Sequence, residues 1–345
     1  MTVRVAVDAM GGDNAPHEIV AGALMAAGGL GCELVLVGQQ DAILAELSGT
    51  AEIPGLRVIH AADVIRMDDS IEAVRGRPDA SINVALKLVK GGEADAFVTA
   101  GNTGATMAAA LIGLGRVKGI ARPALATVFP TATGEVCIYL DVGANADCRP
   151  QWLVQFAHMG AGYMERMFNV ATPRVGLLSI GEEDTKGSQL VIDTNAELRK
   201  GRLNFVGNIE GRDLMQGVVD VAVMDGFTGN VVLKTVEGMA ELMFNELRTV
   251  VERTPWNRAA GLILMSELRK VRRRLDYTEY GGAQLLGVDG VVVIGHGRSN
   301  ARAIFSAIKA ARDAVQNGVQ DVVRNVAREI PAKRGREDKE PGEPA

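Results

Sequence analysis

The sequence predicts an α/β protein built on an open, mainly parallel, doubly wound β-sheet. Short apolar runs alternate with helical stretches along the 345 residues, and the runs themselves lack polar alternation. Glycine is abundant at 41 residues, whereas aromatic residues make up only 4%. Apolar strands without alternation are covered by helices on both faces, as in parallel sheets. The glycines fit the tight turns between strands and helices.

Eight apolar runs are the predicted strands, and each is rich in Val, Ile or Leu. They are Val3–Val7, Glu33–Val37, Leu56–His60, Ala94–Thr99, Arg174–Ile180, Leu203–Ile209, Val219–Val223 and Val291–Gly295. Two further runs, Ala124–Val128 and Glu135–Leu140, flank the turn sequence PTATG. This arrangement predicts a local antiparallel hairpin attached to the parallel sheet.

A long helical region, about residues 229–276, interrupts the alternation of strands and helices. Pro255 divides it into two helices, because proline fits poorly inside a helix, so we expect a protruding helical hairpin. No linker or internal repeat is evident, which predicts a single catalytic domain over residues 1–331. Residues 332–345 are charged, contain two prolines and are predicted to be a disordered tail.

Charge and composition exclude several functions. A net charge of −5 argues against a nucleic-acid partner. The three cysteines form no CxxC pair, as expected for thiols in a reducing cytosol. The first residues lack a signal-peptide pattern, and no apolar run approaches the ~20 residues of a spanning helix. We therefore expect a cytoplasmic protein whose membrane contact is peripheral.

Five strand-to-helix junctions have a composition suited to anion binding: residues 8–16, 100–106, 181–187, 225–230 and 295–300. Such junctions offer free backbone N–H groups and the positive end of a helix dipole. Turn and cap residues alone would explain any one of them, but five in one sheet favour an anion-binding cleft. The candidate phosphate- or substrate-binding residues are Asp8, Gly11, Gly12, Asn102, Thr103, Gly104, Asp225, Thr228, Arg298 and Ser299.

Motifs for other chemistries are missing. Neither GxGxxG nor GxxxxGK[ST] occurs, and the four histidines form no HExxH motif or cluster with cysteine, so we expect no metal and no cofactor. Asp8 and Asp13 without a third ligand are weak evidence for a cation. His296, between two glycines, is either a catalytic group or a turn residue bonded to the backbone.

The segment 256–275 combines an apolar stripe with a basic face. Leu264, Leu268, Val271 and Leu275 follow helical spacing, and five Lys or Arg residues lie among them. Such a helix can lie in the interface of an anionic bilayer, or it can pack on the body or on a second subunit. The candidate membrane-facing residues are Trp256, Leu264, Leu268, Val271, Arg272 and Arg273.

Ordered segments over residues 3–323 resemble the phosphate acyltransferase (PlsX) family. They are VAVDAMGGDNAP (5–16), AGNTGATMA (100–108), ARPAL (121–125), GEEDTKG (181–187), GNIEGRD (207–213), DGFTGNVVLKTVEG (225–238) and GGAQLLGVDGVVVIGHGRS (281–299). The loop 75–81, RGRPDAS, departs from the family pattern of a basic run followed by Asp and paired serines. That departure puts a role of this loop in binding phosphate or carrier protein in doubt.

The resemblance implies a fold like that of the isocitrate and isopropylmalate dehydrogenases and phosphotransacetylase, in a homodimer. It implies transfer of a long acyl chain from acyl-carrier protein to inorganic phosphate, which is a substrate and not a cofactor. The acyl phosphate would supply a membrane glycerol-3-phosphate acyltransferase at the start of phospholipid synthesis. The helical hairpin would bind the inner face of the cell membrane.

The anion-binding junctions and the resemblance together predict catalytic roles for Lys186, which matches the family lysine, and for Asn230 and His296. Lys186 would bind phosphate and Asn230 would donate a hydrogen bond to the oxyanion or to phosphate. His296 would protonate the leaving thiolate. The alternatives are phosphotransacetylase-like transfer with coenzyme A, a dehydrogenase of the related fold, and a non-catalytic membrane scaffold. Transfer with coenzyme A has no use for an amphipathic hairpin. A dehydrogenase of this fold needs metal-binding aspartates that we do not see in the sequence. A scaffold has no need of a lysine in the cleft.

Overall fold

The computed structural model describes residues 2–48, 53–275 and 280–331, and this part of the chain forms one 11-stranded sheet. Its strand order is β3-β2-β1-β4-β11-β10-β5-β6-β9-β7-β8. The strands are β1 (Arg4–Asp8), β2 (Glu33–Gly38), β3 (Leu56–His60), β4 (Ala96–Thr99), β5 (Ala124–Pro130), β6 (Val136–Leu140), β7 (Val175–Leu178), β8 (Phe205–Ile209), β9 (Val221–Val223), β10 (Ala283–Leu286) and β11 (Val291–Ile294).

Helices cover both faces of this sheet. They are α1 (His17–Gly29), α2 (Gln40–Leu47), α3 (Ala73–Gly76), α4 (Ser81–Lys90), α5 (Thr103–Gly113), α6 (Pro150–Phe168), α7 (Gln189–Leu198), α8 (Gly226–Glu252), α9 (Pro255–Leu275), α10 (Ala301–Gln316) and α11 (Val319–Glu329). One core contains Phe156 of α6 and Ile304 of α10, and the other contains Leu86 of α4 and Phe97 of β4. Apolar packing on both faces confirms the doubly wound class.

The predicted strands are confirmed, with ends that differ by one or two residues. The hairpin is also confirmed, since β5 and β6 pair antiparallel from Ala126–Leu140 to Pro130–Val136. Strand β10 was not predicted. It lies between β11 and β5 and is antiparallel to both. Its four residues include Gln284, so the apolar run is too short to recognise without the neighbouring strands.

The sheet consists of two parallel blocks that run in opposite directions. Strands β3, β2, β1, β4 and β11 form one block, and β6, β9, β7 and β8 form the other. Between β11 and β6 there are three antiparallel steps, through β10 and β5. An odd number of reversals places the carboxyl ends of the two blocks at opposite edges of the sheet.

The two blocks also repeat one arrangement. In the first block β2 and β4 flank β1, and in the second block β8 and β9 flank β7 in the same chain order. An antiparallel pair then follows in each half, β11 with β10 and β6 with β5. The halves are thus related by an approximate two-fold axis between β10 and β5, a repeat of topology that the sequence analysis did not find.

The helical hairpin is confirmed, with α9 beginning at Pro255 as predicted. Close packing of the two helices includes Gly261, where a Cβ would lie 2.5 Å from a Cγ of Val251. Much of the hairpin surface is exposed and apolar, including Trp256 (85% exposed) and Ile263 (80% exposed). Within the described ranges, no helix has both the length and the apolar character to cross a membrane.

Candidate active site

Strands β6, β7 and β9 end at one edge of the sheet, which we call the α8 edge because α8 begins there. Leu140 of β6 pairs with Val223 of β9, and Val223 pairs with Leu177 of β7. The loops after these three strands are therefore neighbours. The predicted catalytic residues lie here, Lys186 in the loop after β7 and Asn230 near the start of α8, and both side chains are exposed.

The loop that carries Lys186 is held by hydrogen bonds to its backbone. Buried Asn208 of β8 donates its Nδ2 to the carbonyl of Glu183 at 2.9 Å, and Ser179 donates its hydroxyl to the carbonyl of Lys186 at 3.1 Å. Gly187 has a φ of +109°, a conformation in which a side chain would be strained. The Lys186 ammonium has no polar partner among the described residues, so it is available to a ligand.

The first turn of α8 begins with a capping pair. Asp225 accepts a hydrogen bond from the Thr228 N–H at 2.9 Å and a second from the Thr228 hydroxyl at 2.7 Å. These contacts satisfy one of the free N–H groups at the helix start. Asp225 and Thr228, both predicted to bind substrate, therefore form the helix cap in this structure.

Asn230 lies over the loop that follows β6. The side-chain atoms of Asn230 are about 3.9 Å from where a Cβ of Gly143 would stand. Gly229 packs still closer, since a Cβ there would overlap the carbonyl oxygen of Asp141. Sequence analysis did not select Asp141 or the 143–145 loop, although the sequence DVGAN after β6 is another glycine-containing junction.

Strands β1, β4 and β11 end at the opposite edge, which we call the α5 edge because α5 begins there. Asp8 is buried and accepts hydrogen bonds from the Met10 N–H at 3.1 Å and the Thr99 hydroxyl at 2.9 Å. Burial raises the pKa of the Asp8 carboxyl, and these hydrogen bonds oppose that rise. Asp8 thus shapes this edge from within and does not face a ligand.

Glycines allow the three loops of the α5 edge to meet. A Cβ at Gly11 would lie 2.6 Å from both Asp8 Oδ2 and Thr99 Oγ1. Gly12 has a φ of +108° and packs against Ala100 and the carbonyl of Gly297. The Asp13 N–H then donates to that carbonyl at 2.8 Å. Gly11 and Gly12 are therefore needed here because a side chain at either position would collide with the neighbouring loops.

Asn102 caps α5 and also holds a neighbouring loop. Its Oδ1 accepts the Ala105 N–H at 3.0 Å, and its Nδ2 donates to the Met67 carbonyl at 2.8 Å. Both ends of the amide are occupied, so Asn102 positions this edge. Thr103 is exposed at the helix start, and Gly104 lies beside the side chain of Ile71.

His296, Arg298 and Ser299 share a tight turn after β11. His296 Nδ1 accepts the Arg298 N–H at 3.1 Å, and the His296 carbonyl accepts the Ser299 N–H at 2.9 Å. An accepting Nδ1 leaves the proton of a neutral imidazole on Nε2, where it is available for donation. Ser299 is buried, whereas the Arg298 guanidinium is exposed and has no partner among the described residues.

The structure divides the predicted site into two groups. Lys186, Asn230, Asp225 and Thr228 lie at the α8 edge, and the other predicted residues lie at the α5 edge. The four residues of β11 alone span about 13 Å, so one chain does not bring the two groups together. In the atypical loop 75–81 the guanidinium of Arg77 forms an ion pair with Asp69 at 2.7 Å. It is therefore not free to bind an anionic ligand.

A cysteine near the α8 edge is not activated as a nucleophile. Cys148 Sγ lies 3.5 Å from the carbonyl of Asn145, within the loop region after β6. Burial is the main cause that raises the pKa of this thiol to about 12. A thiol of that pKa is protonated at neutral pH and reacts poorly. The edge therefore offers ligand-binding groups and no activated thiol.

The predicted membrane-facing residues lie on α9. Trp256, Leu264 and Val271 are exposed, and Leu268 is half-buried. The side chains of Arg272 and Arg273 lie outside the part of the chain that the structure describes, as does the predicted tail 332–345.

The capping role of Asp225 predicts a specific change in stability. Asp225→Ala should lower the free energy of unfolding by about 1 kcal/mol, because the Thr228 N–H loses its acceptor. Asp225→Asn is the matched control, since its side-chain oxygen can still accept that hydrogen bond. Urea denaturation of the three proteins measures the difference. Equal stability of the alanine variant and wild type would contradict the capping role.

A family model described as fatty acid synthesis protein matches residues 3–322. A phosphate acyltransferase from Desulfitobacterium hafniense is 50% identical over 313 residues, which cover 90% of this chain and 93% of that protein. A phosphate acyltransferase from Synechococcus elongatus is 48% identical over 310 residues, covering 89% of this chain and 90% of that protein.

Two solved structures share the fold at low sequence identity. A phosphotransacetylase from Streptococcus pyogenes superposes with a TM-score of 0.61 at 17% identity, covering 91% of this chain and 94% of that one. A 4-hydroxythreonine-4-phosphate dehydrogenase, described as putative, from Salmonella typhimurium gives a TM-score of 0.53 at 14% identity, covering 91% and 99%. These relatives confirm the fold class and the resemblance found in the sequence. The chain belongs to the phosphate acyltransferase (PlsX) family of fatty acid synthesis proteins and is an acyltransferase.

Proposed function

We propose that the protein transfers a long acyl chain from acyl-carrier protein to inorganic phosphate and releases acyl phosphate. One observation carries this proposal: the free ammonium of Lys186 lies on the loop after β7, and the exposed amide of Asn230 lies near the start of α8, which follows the neighbouring strand β9. A cation, an amide and a helix N-terminus together suit a phosphate dianion and a developing oxyanion. The family of the chain supports the same chemistry.

The thioester is already activated, so the reaction needs no covalent enzyme intermediate. A phosphate oxygen attacks the thioester carbonyl carbon, and a tetrahedral oxyanion forms. Its collapse breaks the carbon–sulfur bond and releases the carrier thiolate. Lys186 offsets the repulsion between phosphate and oxyanion, and Asn230 donates a hydrogen bond to one of them. The unreactive Cys148 thiol fits a direct attack.

The α5 edge would supply the remaining groups. Thr103 and Gly104 offer donors at the start of α5, and the Arg298 guanidinium offers a second cation. The Nε2 proton of His296 would pass to the leaving thiolate. Within one chain these groups lie at the α5 edge, whereas Lys186 lies at the α8 edge. A complete site would therefore need groups from two subunits.

A homodimer is therefore part of the proposal. A second copy can place the α8 edge of one chain against the α5 edge of its partner, and two-fold symmetry then produces two equivalent sites. Because the α8-edge and α5-edge residues are far apart within one chain, only a dimer would bring them together in one site. The occupied caps Asp225 and Asn102 would hold the two helix starts rigid in each site.

The hairpin would bring the enzyme to the inner face of the cell membrane. Its apolar residues Ile263 and Leu264 are exposed near a segment rich in Lys and Arg. That combination favours an anionic bilayer surface. An acyl phosphate released there would reach a membrane glycerol-3-phosphate acyltransferase without carrying its chain through water.

Lys186→Ala should lower turnover about 100–1000-fold, as is typical for the loss of one group that stabilises the oxyanion. The assay incubates the protein with palmitoyl-acyl-carrier protein, with and without phosphate, and follows free carrier thiol. Lys200→Ala is the control, because Lys200 is exposed at the end of α7 and is paired with Glu197. Undiminished turnover of the Lys186 variant would refute its role.

The same assay separates the alternative functions. Activity of the wild-type protein with acyl-coenzyme A alone would favour the phosphotransacetylase-like reaction. Inactivity of the folded wild-type protein with both acyl substrates would favour a scaffold.

Mixed dimers test the shared site. Lys186→Ala and Arg298→Ala should each be weakly active, whereas their co-expressed mixture should regain about one quarter of the wild-type activity, because half of the dimers contain one intact site. Lys186→Ala mixed with Asn230→Ala is the control and should regain nothing, since both changes lie at the α8 edge. A first mixture no more active than its components would contradict the intersubunit arrangement.

Membrane binding is tested by flotation with vesicles that contain anionic phospholipid. Ile263→Glu combined with Leu264→Glu should abolish flotation, because two exposed apolar side chains become charged. Leu44→Glu combined with Ile112→Glu is matched in charge and alters exposed residues of α2 and α5, so it should float normally. Normal flotation of the hairpin variant would exclude the hairpin as the membrane anchor.

A further inference from the structure

Asp141 is a fully buried carboxylate at the end of β6, and every hydrogen bond to it comes from the chain around it. Its Oδ1 accepts the N–H groups of Leu125 at 3.0 Å, Gly143 at 3.1 Å and Ala144 at 2.9 Å. Its Oδ2 accepts the N–H and the Nδ2 of Asn145 at 2.7 and 2.8 Å. One side chain thus determines the path of the loop 141–145.

That loop is the surface on which the first turn of α8 rests. The Gly226 N–H donates to the Asn145 carbonyl at 2.8 Å, and Gly229 packs on the Asp141 carbonyl with no room for a Cβ. Asn230, the next residue, lies beside Gly143. A shift of the loop would therefore move Asn230 directly.

The charge of Asp141 is costly for a purely structural residue. Among the described residues it has no cationic partner, and burial raises the pKa of its carboxyl while the N–H donors oppose that rise. A carboxylate accepts at both oxygens, whereas an asparagine would turn an NH₂ group towards N–H donors. Only the charged form satisfies all five donors.

We propose that Asp141 is a positioning residue for acyl transfer: through the loop 141–145 it fixes the position of Asn230 in the reaction. The inference rests on the proposed role of Asn230 and extends it to a residue that does not contact the substrate. A displacement of about 1 Å in a group that orients the reaction can lower the rate about 100-fold.

The first test is the steady-state kinetics of Asp141→Asn with palmitoyl-acyl-carrier protein and phosphate. We expect kcat to fall about 10–100-fold with little change in KM for the carrier substrate, because Asn230 acts mainly in the transition state. Asp220→Asn is the matched control. Asp220 is a buried carboxylate in the same half of the sheet, but it binds Arg174 at the opposite end of β9. The control should lose stability without this loss of kcat.

The second test is a double-mutant cycle with Asn230→Ala. If Asp141 acts through Asn230, then Asp141→Asn should change kcat little in the Asn230→Ala background, so the two effects should not add. Full additivity, or wild-type kcat in Asp141→Asn, would overturn the inference. Wild-type kcat in Asn230→Ala alone would instead refute the proposed role of Asn230.

A milder variant covers the case in which Asp141→Asn does not fold. Asn145→Ala removes one donor to Asp141 and the hydrogen bond to the Pro123 carbonyl at 2.7 Å, but it keeps the backbone contact to Gly226. We expect a smaller fall in kcat that is again not additive with Asn230→Ala. Additive behaviour of this variant would overturn the inference equally.

Discussion

The antiparallel steps at the centre of the sheet decide where every functional group of this protein lies. Because β11, β10, β5 and β6 alternate in direction, the parallel block of β6, β9 and β7 is reversed relative to that of β1, β4 and β11. Helix N-termini follow the carboxyl ends of parallel strands, so they collect at two opposite edges. The approximate two-fold axis makes these edges equivalent in topology, although their side chains differ. A reaction that uses both edges therefore depends on a second copy of the chain.

Each edge is built by the same physical means. Glycines let loops approach until backbone atoms touch, as Gly11 does beside the backbone N of Gly101 and Gly229 beside the carbonyl of Asp141. Buried carboxylates then take up the N–H groups that these loops would leave without partners. The cost of burying a carboxylate is offset by several donors, which orient the loop in one way. The starts of α5 and α8 are thus held by hydrogen bonds to the chain around them.

The exposed Lys186 and Asn230 suit the acyl transfer to phosphate proposed above. In the proposed reaction phosphate and the oxyanion are both negative, so the enzyme would have to offset their repulsion and orient the attack, and it would need no nucleophile of its own. Lys186 has a free ammonium, and the loop below it is held by buried Asn208. The hairpin α8–α9 begins at the same edge and carries exposed apolar residues such as Trp256 and Ile263. The start of α8 thus connects the proposed chemistry with the proposed membrane contact.

Sequence analysis predicted the fold class, ten of the eleven strands described, the hairpin break at Pro255 and the family, because unbroken apolar runs, proline and ordered motifs are local properties. It also selected Lys186 and Asn230 as catalytic candidates, and both are exposed in the structure. It assigned substrate binding to Asp8, Asn102 and Asp225, whose polar atoms the structure shows bonded to the chain. It did not reveal β10, the reversal between the blocks or the buried Asp141 carboxylate, whose loop lies beside Asn230. These features appear only in the folded chain, because strand direction and the partners of a buried carboxylate depend on residues far apart in the sequence.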